Sequence, residues 1–282
     1  MALLAPPSKT YDVVIVGSGA GGGIAAYVLT KAGADVLLLE AGGPWYGSRD
    51  SKMLFPNYAS PRRGASTKWR PFGEFDACDG GWEIEGEPYT VAQGSRFLWW
   101  RARMLGGRTN HWGRISLRFG PDDFKRKTLD GIGDDWPIGY EDVAPYFDRV
   151  DRLIGIHGSK EGIRNEPDGI FHPPPAPRCY EYLVKKASDK LKITCIPARR
   201  SVITQPLNGR AACHYCGQCG RGCATRSNFS SPDVLIAPAQ ATGKLTLLTN
   251  AMVREVMVGP DGKATGVSYV NRLTGEELQA RA

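Results

Sequence analysis

A glycine-rich stretch near the N-terminus, residues 17–22, constrains the fold more than any other feature of this sequence. It reads GSGAGG and fits the pattern G-x-G-x-x-G. The apolar, β-branched segment 11–16 precedes it, as expected for a buried parallel strand. A helix-length segment follows and can end at Gly33, after which a second apolar run, 36–39, leads to Glu40. This order of strand, glycine turn, helix and strand predicts a βαβ unit in a doubly wound α/β fold.

Each glycine of the pattern has its own predicted role. Gly17 permits a tight turn, Gly19 lets the backbone approach a pyrophosphate, and Gly22 lets the helix lie close to the strand. The helix N-terminus offers amide hydrogens and the positive end of its dipole to phosphates. Glu40, at the end of the second strand, is placed to accept hydrogen bonds from ribose hydroxyls and to repel a 2′-phosphate. The stretch therefore predicts a dinucleotide site, and the alternative is a βαβ unit that binds no nucleotide.

The bulk properties set limits on the class of protein. A chain of 282 residues with a net charge of +7 is long enough for one large or two ordinary domains. Its basic residues are scattered and accompany no nucleic-acid-binding motif, so they indicate solvated surface and not a nucleic-acid partner. The sequence shows no apolar run of membrane-spanning length and no signal peptide. We expect a cytoplasmic protein, with export alongside a signal-bearing partner as the alternative.

Four of the seven cysteines lie within eleven residues and form a candidate metal site. Their spacing, C-x2-C-x2-C-x3-C, is that of a bacterial ferredoxin segment, although Ala224 stands where proline is usual. Such spacing fits an iron–sulfur cluster better than structural zinc, which usually takes two pairs separated by a longer loop. A third alternative is that the thiols bind no metal. The cysteines concerned are Cys213, Cys216, Cys219 and Cys223.

Two further segments stand out between these motifs. Residues 104–113, MLGGRTNHWG, form a second glycine turn. Residues 136–155 have a helical pattern, in which we expect Asp142 to cap a helix that begins near Val143, with Pro145 in its first turn.

Five segments, in this order, resemble the N-terminal half of the glucose–methanol–choline (GMC) oxidoreductases. They read VIVGSGAGGG, LLLEAGG, MLGGRTNHWG, WPIGYEDVAPYFDRVDRLIG and LLTNAMVREV. The resemblance implies a Rossmann-type FAD-binding domain formed by residues 10–115 and 232–282. It also implies an inserted, loop-rich region at 116–231, with helices and the cysteine cluster, leading to a substrate domain. We expect the chain to be truncated at its C-terminus relative to that family.

The resemblance assigns FAD contacts by motif. Gly106 and Gly107 would let the backbone pass close to the flavin or its phosphates, and Val253 would contact adenine through its backbone. The segment around His111 is similar to that of the pyranose 2-oxidases, in which the histidine is bonded covalently to the flavin. The alternative is a histidine packed beside the ring without a bond. The residues expected to bind FAD are Gly17, Ser18, Gly19, Gly22, Glu40, Ala41, Gly106, Gly107, Asn110, His111, Trp112 and Val253.

The resemblance also implies an activity. Members of the family oxidise a CH–OH group by hydride transfer to flavin N5, so we expect a sugar, polyol or alcohol dehydrogenase. Cys213, Cys219 and Cys223 match the spacing in bacterial FAD-dependent glucose dehydrogenases, whose iron–sulfur cluster passes electrons to a cytochrome subunit. The alternatives are an oxidase that reduces O2 and a non-catalytic flavin and iron–sulfur electron-transfer module.

No catalytic base is predicted within the chain. The family's base histidine falls in the C-terminal half, past Ala282, and we expect His157 and His172 at the surface. The chain alone is therefore expected to be inactive and to bind flavin weakly.

Overall fold

The computed structural model describes residues 9–50, 90–95, 102–217 and 219–282. These residues divide into two compact units. The first unit takes in Met1–Gly113 as far as it is described, Cys216–Arg226 and Ser230–Ala282, and the second takes in Arg114–Tyr215 and Ser227–Phe229. The boundaries predicted at 115/116 and 231/232 lie close to this division, but most of the cysteine segment belongs to the first unit.

The residues that the structure describes form eight strands and six α-helices, besides short 3-10 and π segments. The strands are β1 (Val13–Val16), β2 (Val36–Leu39), β3 (Ile156–His157), β4 (Phe171–His172), β5 (Leu245–Leu248), β6 (Ala251–Val258), β7 (Ala264–Asn271) and β8 (Glu277–Arg281). The helices are α1 (Ala20–Lys31), α2 (Gly47–Asp50), α3 (Arg126–Asp130), α4 (Tyr140–Ile154), α5 (Cys179–Lys190) and α6 (Ala237–Gln240). A π-helix spans Pro232–Ile236. Across the described ranges, no helix is both long enough and apolar enough to traverse a bilayer.

The parallel sheet of the first unit has the strand order β1-β2-β5. All four residues of the central strand β2 are buried, as expected for an inner parallel strand covered on both faces. The register pairs Val13 with Val36 and Val36 with Leu245. Helix α1 connects β1 to β2, so the predicted βαβ unit is confirmed.

An antiparallel sheet of order β6-β7-β8 completes the first unit. β6 pairs with β7 and β7 with β8, each antiparallel. Side chains from both sheets form one hydrophobic cluster, so the two sheets share a core. The buried members of this cluster are Tyr11, Leu37, Leu39, Leu248, Ala251, Val267, Tyr269 and Ala280.

The main helix of the second unit corrects one prediction. Helix α4 begins at Tyr140, and Gly139 is its N-cap in an extended conformation. Asp142 is the third helical residue and accepts a hydrogen bond from the Gly139 amide at 2.8 Å. The predicted start near Val143 was wrong because the acidic side chain reaches back to the cap instead of being the cap. Pro145 consequently lies in the second turn.

The second unit buries ion pairs. Arg118 pairs with the buried carboxylate of Asp151 and lies 2.6 Å from an oxygen of Asp148. Burial alone would lower the pKa of Arg118, but its hydrogen bonds to Asp151 and Asp148 raise it overall. Arg199 is 1% exposed and lies 2.8 Å from Asp168. The Arg118 guanidinium therefore stays charged inside the protein.

His157 and His172 are direct neighbours in the β3–β4 pair. His157 is only 7% exposed, so the expected surface position was wrong for this residue. Burial, the charge of Arg200 and the neighbouring His172 lower the pKa of His157 to about 4. Burial and the charge of Arg210 also lower the pKa of His172. His157 is consequently uncharged at neutral pH.

Candidate functional site

The first glycine turn has the tight geometry that its pattern predicts. Gly17 has a φ of +86°, which favours glycine. A Cβ atom at Gly22 would overlap the Gly17 carbonyl oxygen and lie 3.2 Å from Cγ2 of Ile15. The tight turn and the close contact between helix and strand are therefore confirmed.

The start of α1 leaves room beside the backbone. A Cβ atom built at Gly19 would meet no atom of the described residues within 4 Å. The first-turn amides of Ala20, Gly21 and Gly22 are among those that a helix leaves without an intrahelical acceptor. Ala20 and Gly21 are exposed. This surface can accept an anion such as a diphosphate.

Glu40 lies at the carboxyl end of β2, and the residue is 8% exposed. One oxygen accepts hydrogen bonds from the Ser18 amide at 3.0 Å and from the Ser18 hydroxyl. The other accepts from the Gly42 amide at 2.8 Å. Each carboxylate oxygen has two lone pairs, so the group can still accept from a ribose hydroxyl. The acid thus holds the glycine turn against the end of β2 and keeps capacity for a ligand.

The second glycine turn lies next to the first. The Gly106 amide donates to the Ser18 hydroxyl at 2.8 Å, and the Leu105 amide donates to the Gly43 carbonyl at 2.8 Å. Gly106 has a φ of +85°, and a Cβ atom there would overlap the ring of Pro232. The predicted role of Gly106 was close approach to a ligand, and the structure adds a packing reason for glycine at this position.

Of the residues predicted beside the flavin ring, Asn110 ends the short 3-10 helix Gly107–Asn110, and His111 and Trp112 follow it. Asn110 is fully buried and donates from Nδ2 to the Leu105 carbonyl at 2.8 Å. His111 is 4% exposed, and Trp112 is half-buried. The Asn110 side chain therefore braces the turn that carries His111, in addition to any contact with a ligand.

Two further predicted residues have partners other than the turns. Val253 pairs with Tyr269 across β6 and β7 and packs against the shared hydrophobic cluster. The Ala41 carbonyl accepts a hydrogen bond from Arg272 at 3.1 Å. Their roles toward a nucleotide stay predictions.

Two residues of the site were missed by sequence reasoning. Thr109 and Ser231 are buried, and their hydroxyls contact the two glycine turns. Ser231 is separated from Thr109 by 122 residues and from Ser18 by 213 residues. No local pattern marks such contacts, because only the fold brings these segments together.

The four clustered cysteines differ in their surroundings. Cys216 is exposed, Cys213 and Cys219 are half-buried, and Cys223 is buried. The Tyr215 amide donates to Cys213 Sγ at 3.3 Å, and Cys223 Sγ lies 3.4 Å from the Thr225 hydroxyl. Within the described part of the chain, no group of three or more cysteine, histidine or acidic side chains is arranged to hold a metal ion. Cys213 belongs to the second unit and the other three cysteines to the first, so the iron–sulfur ligand set stays a prediction.

Comparison with known proteins supports the resemblance to the GMC oxidoreductases. Residues 179–281 match the family model described as GMC oxidoreductase, and residues 15–56 match an NAD(P)-binding Rossmann-like domain. Paromamine 6′-oxidase of Streptomyces fradiae is 30% identical over 97% of this chain and 47% of its own length. The 2-methyl-1,2-propanediol dehydrogenase of Mycolicibacterium austroafricanum is 30% identical over 96% of this chain and 47% of its own length. The chain thus spans about half the length of the curated relatives it matches.

A solved structure shows the same fold. Pyridoxine 4-oxidase from Mesorbium loti aligns with a TM-score of 0.56 at 19% identity, over 97% of this chain and 48% of that chain. The glycine turns, the acid that ends β2 and the two family matches lead to one conclusion. The chain belongs to the GMC oxidoreductase family and contains its Rossmann-like dinucleotide-binding fold.

Proposed function

We propose that the protein is an FAD-dependent oxidoreductase that oxidises a CH–OH group of a sugar, polyol or alcohol. We further propose that it acts as a dehydrogenase that passes electrons to an acceptor other than O2, such as a cytochrome or small subunit. Family membership supports the reaction class, since the relatives named above are an oxidase of paromamine and a dehydrogenase of a diol. The observation that carries the proposal is the direct contact between the two glycine turns and Glu40 within one compact unit.

The chain's own residues fit a flavin dinucleotide. The exposed amides at the start of α1 would hold the diphosphate, and the space beside Gly19 would let it approach the backbone. Glu40 would accept hydrogen bonds from the ribose hydroxyls. Residues 110–112, on the second turn, would then lie toward the ring system. When bound, FAD supplies the hydride acceptor, and the protein supplies position and electrostatics.

No residue of this chain is assigned as the catalytic base. His157 and His172 lie in the second unit, in the β3–β4 pair, and belong to none of the segments that carry the family resemblance. His111 either packs beside the flavin or is bonded to it. Acid precipitation separates these alternatives, because covalently bound flavin stays with the precipitated protein.

The first experiment tests flavin binding with a matched pair of glycine variants. Gly19→Ala adds a methyl group where the diphosphate would lie, whereas Gly139→Ala adds one at the N-cap of α4 in the second unit, where it meets only Asp142 Oδ2 at 3.9 Å. In the protein made from its complete reading frame, we expect Gly19→Ala to weaken FAD binding at least about tenfold. Gly139→Ala should bind as the unmodified protein does. Both variants should unfold at a similar temperature, since neither methyl group overlaps a described protein atom.

A colourless complete protein that takes up no added FAD would overturn the proposal. Equal effects of the two glycine substitutions would contradict the assigned position of the diphosphate.

The second experiment tests the reaction. Anaerobic mixing with sugars, polyols and simple alcohols should bleach the flavin absorbance with at least one of them. We expect turnover with a quinone or cytochrome acceptor and little peroxide under air. Rapid peroxide formation would favour the oxidase alternative, and absence of bleaching by every alcohol would favour a non-catalytic module.

An iron–sulfur route for the electrons is a further alternative, which rests on the spacing of Cys213, Cys219 and Cys223. Stoichiometric iron, with broad absorbance beyond the flavin bands, would support it, and absence of iron from the complete protein would exclude it. The cytoplasmic location stays a prediction.

A further inference from the structure

Three separate parts of the first unit are joined by one closed set of buried hydrogen bonds. The Gly106 amide donates to the Ser18 hydroxyl at 2.8 Å, and the Thr109 hydroxyl donates to the Gly106 carbonyl at 2.7 Å. The Ser231 amide donates to the Thr109 hydroxyl at 3.0 Å, and the Ser231 hydroxyl donates to the Ser18 carbonyl at 2.8 Å. We call these four residues the hydroxyl ring. It connects the first glycine turn, the second glycine turn and the start of the π-helix.

The donors and acceptors of the hydroxyl ring are mutually consistent. The Thr109 hydroxyl uses its hydrogen toward Gly106 and a lone pair toward Ser231. The Ser18 hydroxyl uses its hydrogen toward Glu40 and a lone pair toward Gly106. Each hydroxyl therefore has a definite orientation, which restricts the backbone groups that it contacts.

Packing restricts the same three segments. Ser231 Oγ lies where a Cβ atom at Gly23 would be, and the Pro232 ring lies where one at Gly106 would be. Ser18, Ser231 and Asn110 are fully buried. The second turn consequently has little room to shift along the first without breaking hydrogen bonds that water cannot easily replace.

We infer that Thr109 and Ser231 are positioning residues that set the distance between the diphosphate-binding turn and the turn that carries Asn110, His111 and Trp112. This inference rests on the proposed function, because it assigns the first turn to the diphosphate and the second to the flavin ring. The hydroxyl ring fixes where the two ends of one extended cofactor must lie. It is therefore a determinant of flavin affinity and of the ring's environment, although neither residue needs to touch the reacting atoms.

Thr109 offers a sharp pair of variants. Thr109→Val keeps the shape and removes the hydroxyl, whereas Thr109→Ser keeps the hydroxyl. We expect Thr109→Val to weaken FAD binding about tenfold, since the buried Ser231 amide loses its hydroxyl partner and the Gly106 carbonyl keeps only the Thr109 amide at 3.1 Å. The visible flavin bands and the flavin reduction potential should also shift. Thr109→Ser should restore all three readouts to near their original values.

Ser230 provides the control outside the hydroxyl ring. Ser230 directly precedes Ser231, and its hydroxyl donates to the Asp233 carboxylate at 2.9 Å. Ser230→Ala should leave FAD affinity and the flavin spectrum unchanged. If Thr109→Val unfolds the protein, Ser231→Ala is the second test, because it removes one hydrogen bond of the ring and keeps the Ser231 amide. We expect it to weaken FAD binding about threefold.

A measurement without FAD separates this inference from the proposed function. Amide hydrogen exchange in a peptide covering residues 104–112 should be faster in Thr109→Val than in Ser230→Ala. Unchanged exchange, or unchanged FAD affinity and spectrum in Thr109→Val, would overturn the inference. Altered exchange in a protein that binds no FAD would instead confirm the hydroxyl ring and overturn the proposed function.

Discussion

The two compact units bury their polar groups in different chemical forms. In the first unit, the hydroxyls of Ser18, Thr109 and Ser231 meet backbone groups around the glycine turns. In the second, Arg118 and Arg199 are buried as charged groups with carboxylate partners. A neutral hydrogen bond contributes about 1 kcal/mol to stability, whereas a buried charge that loses its partner costs several. Substitutions in the second unit should therefore act mainly on folding, and those around the turns mainly on ligand position.

The largest expected effect comes from removing a buried charge partner. Asp151 is 3% exposed and accepts from Arg118 and from the Ile170 amide at 3.0 Å. Asp151→Asn should lower the free energy of unfolding by up to about 3 kcal/mol, because the buried Arg118 keeps only the more exposed carboxylate of Asp148. Urea denaturation followed by circular dichroism measures the change.

Asp134→Asn is the matched control for that change. Asp134 is exposed and lies 3.3 Å from Lys127, so its loss should cost at most about 0.5 kcal/mol. A cost below about 1 kcal/mol for Asp151→Asn would show that the ion pair of the second unit is not a folding determinant.

The next effect is a pH dependence that arises in the second unit. The pKa of His157 is about 4 in the folded protein and about 6.5 in the unfolded chain, so the unfolded chain binds more protons between these values. The contribution of His157 to the free energy of unfolding is fully present above about pH 6.5. It decreases by roughly 2–3 kcal/mol as the pH falls toward 4. Urea titrations at several pH values should show a shallower loss in His157→Phe. His214→Gln, at an exposed position, should keep the original slope, and an unchanged slope in both variants would exclude His157 as the cause.

A smaller loss of stability is expected in the first unit. Ser18→Ala removes hydroxyl hydrogen bonds to Glu40 and from Gly106. We expect a decrease of about 1–2 kcal/mol in the free energy of unfolding, because both partners stay buried. The same denaturation assay measures it, and a loss as large as that of Asp151→Asn would remove the distinction between the two units.

The smallest expected effect tests whether an ion pair needs burial to contribute to the free energy of unfolding. Arg254 in the first unit forms an exposed pair with Glu277 at 2.8 Å. Arg254→Gln should lower the free energy of unfolding by at most about 0.5 kcal/mol, because water and salt screen an exposed pair. Denaturation at low and high salt should give nearly the same difference between variant and parent. A cost above about 1 kcal/mol would assign importance to charge pairs irrespective of burial.

The local parts of the fold could be predicted from the sequence. The βαβ unit was found because strand, glycine turn and helix each leave a pattern within a few residues. The start of α4 was misplaced by three residues, since an acid within the first turn resembles a cap. The burial of His157 was missed because its paired neighbours, Arg200 and His172, lie in other segments.

The candidate site likewise contains residues that a local pattern predicts and residues that only long-range contacts reveal. Gly17, Gly22 and Glu40 belong to a pattern whose physical roles are local. Thr109 and Ser231 gain their roles only when residues far apart in the chain meet, so no window of sequence marks them. The spacing of Cys213 to Cys223 is likewise a local pattern, so it predicts a set of metal ligands but not how the fold brings the thiols together.

The order of strands in the parallel sheet has a consequence for biosynthesis. β1 and β2 are made early, but their third neighbour, β5, follows about 200 residues later. At about 5–20 residues per second, the ribosome needs roughly 10–40 seconds to deliver it. During that time the edge of the apolar strand β2 that will pair with β5 has no partner on the nascent chain. Binding of a chaperone to this edge, and the rate of translation between residues 40 and 244, should therefore affect the yield of folded protein.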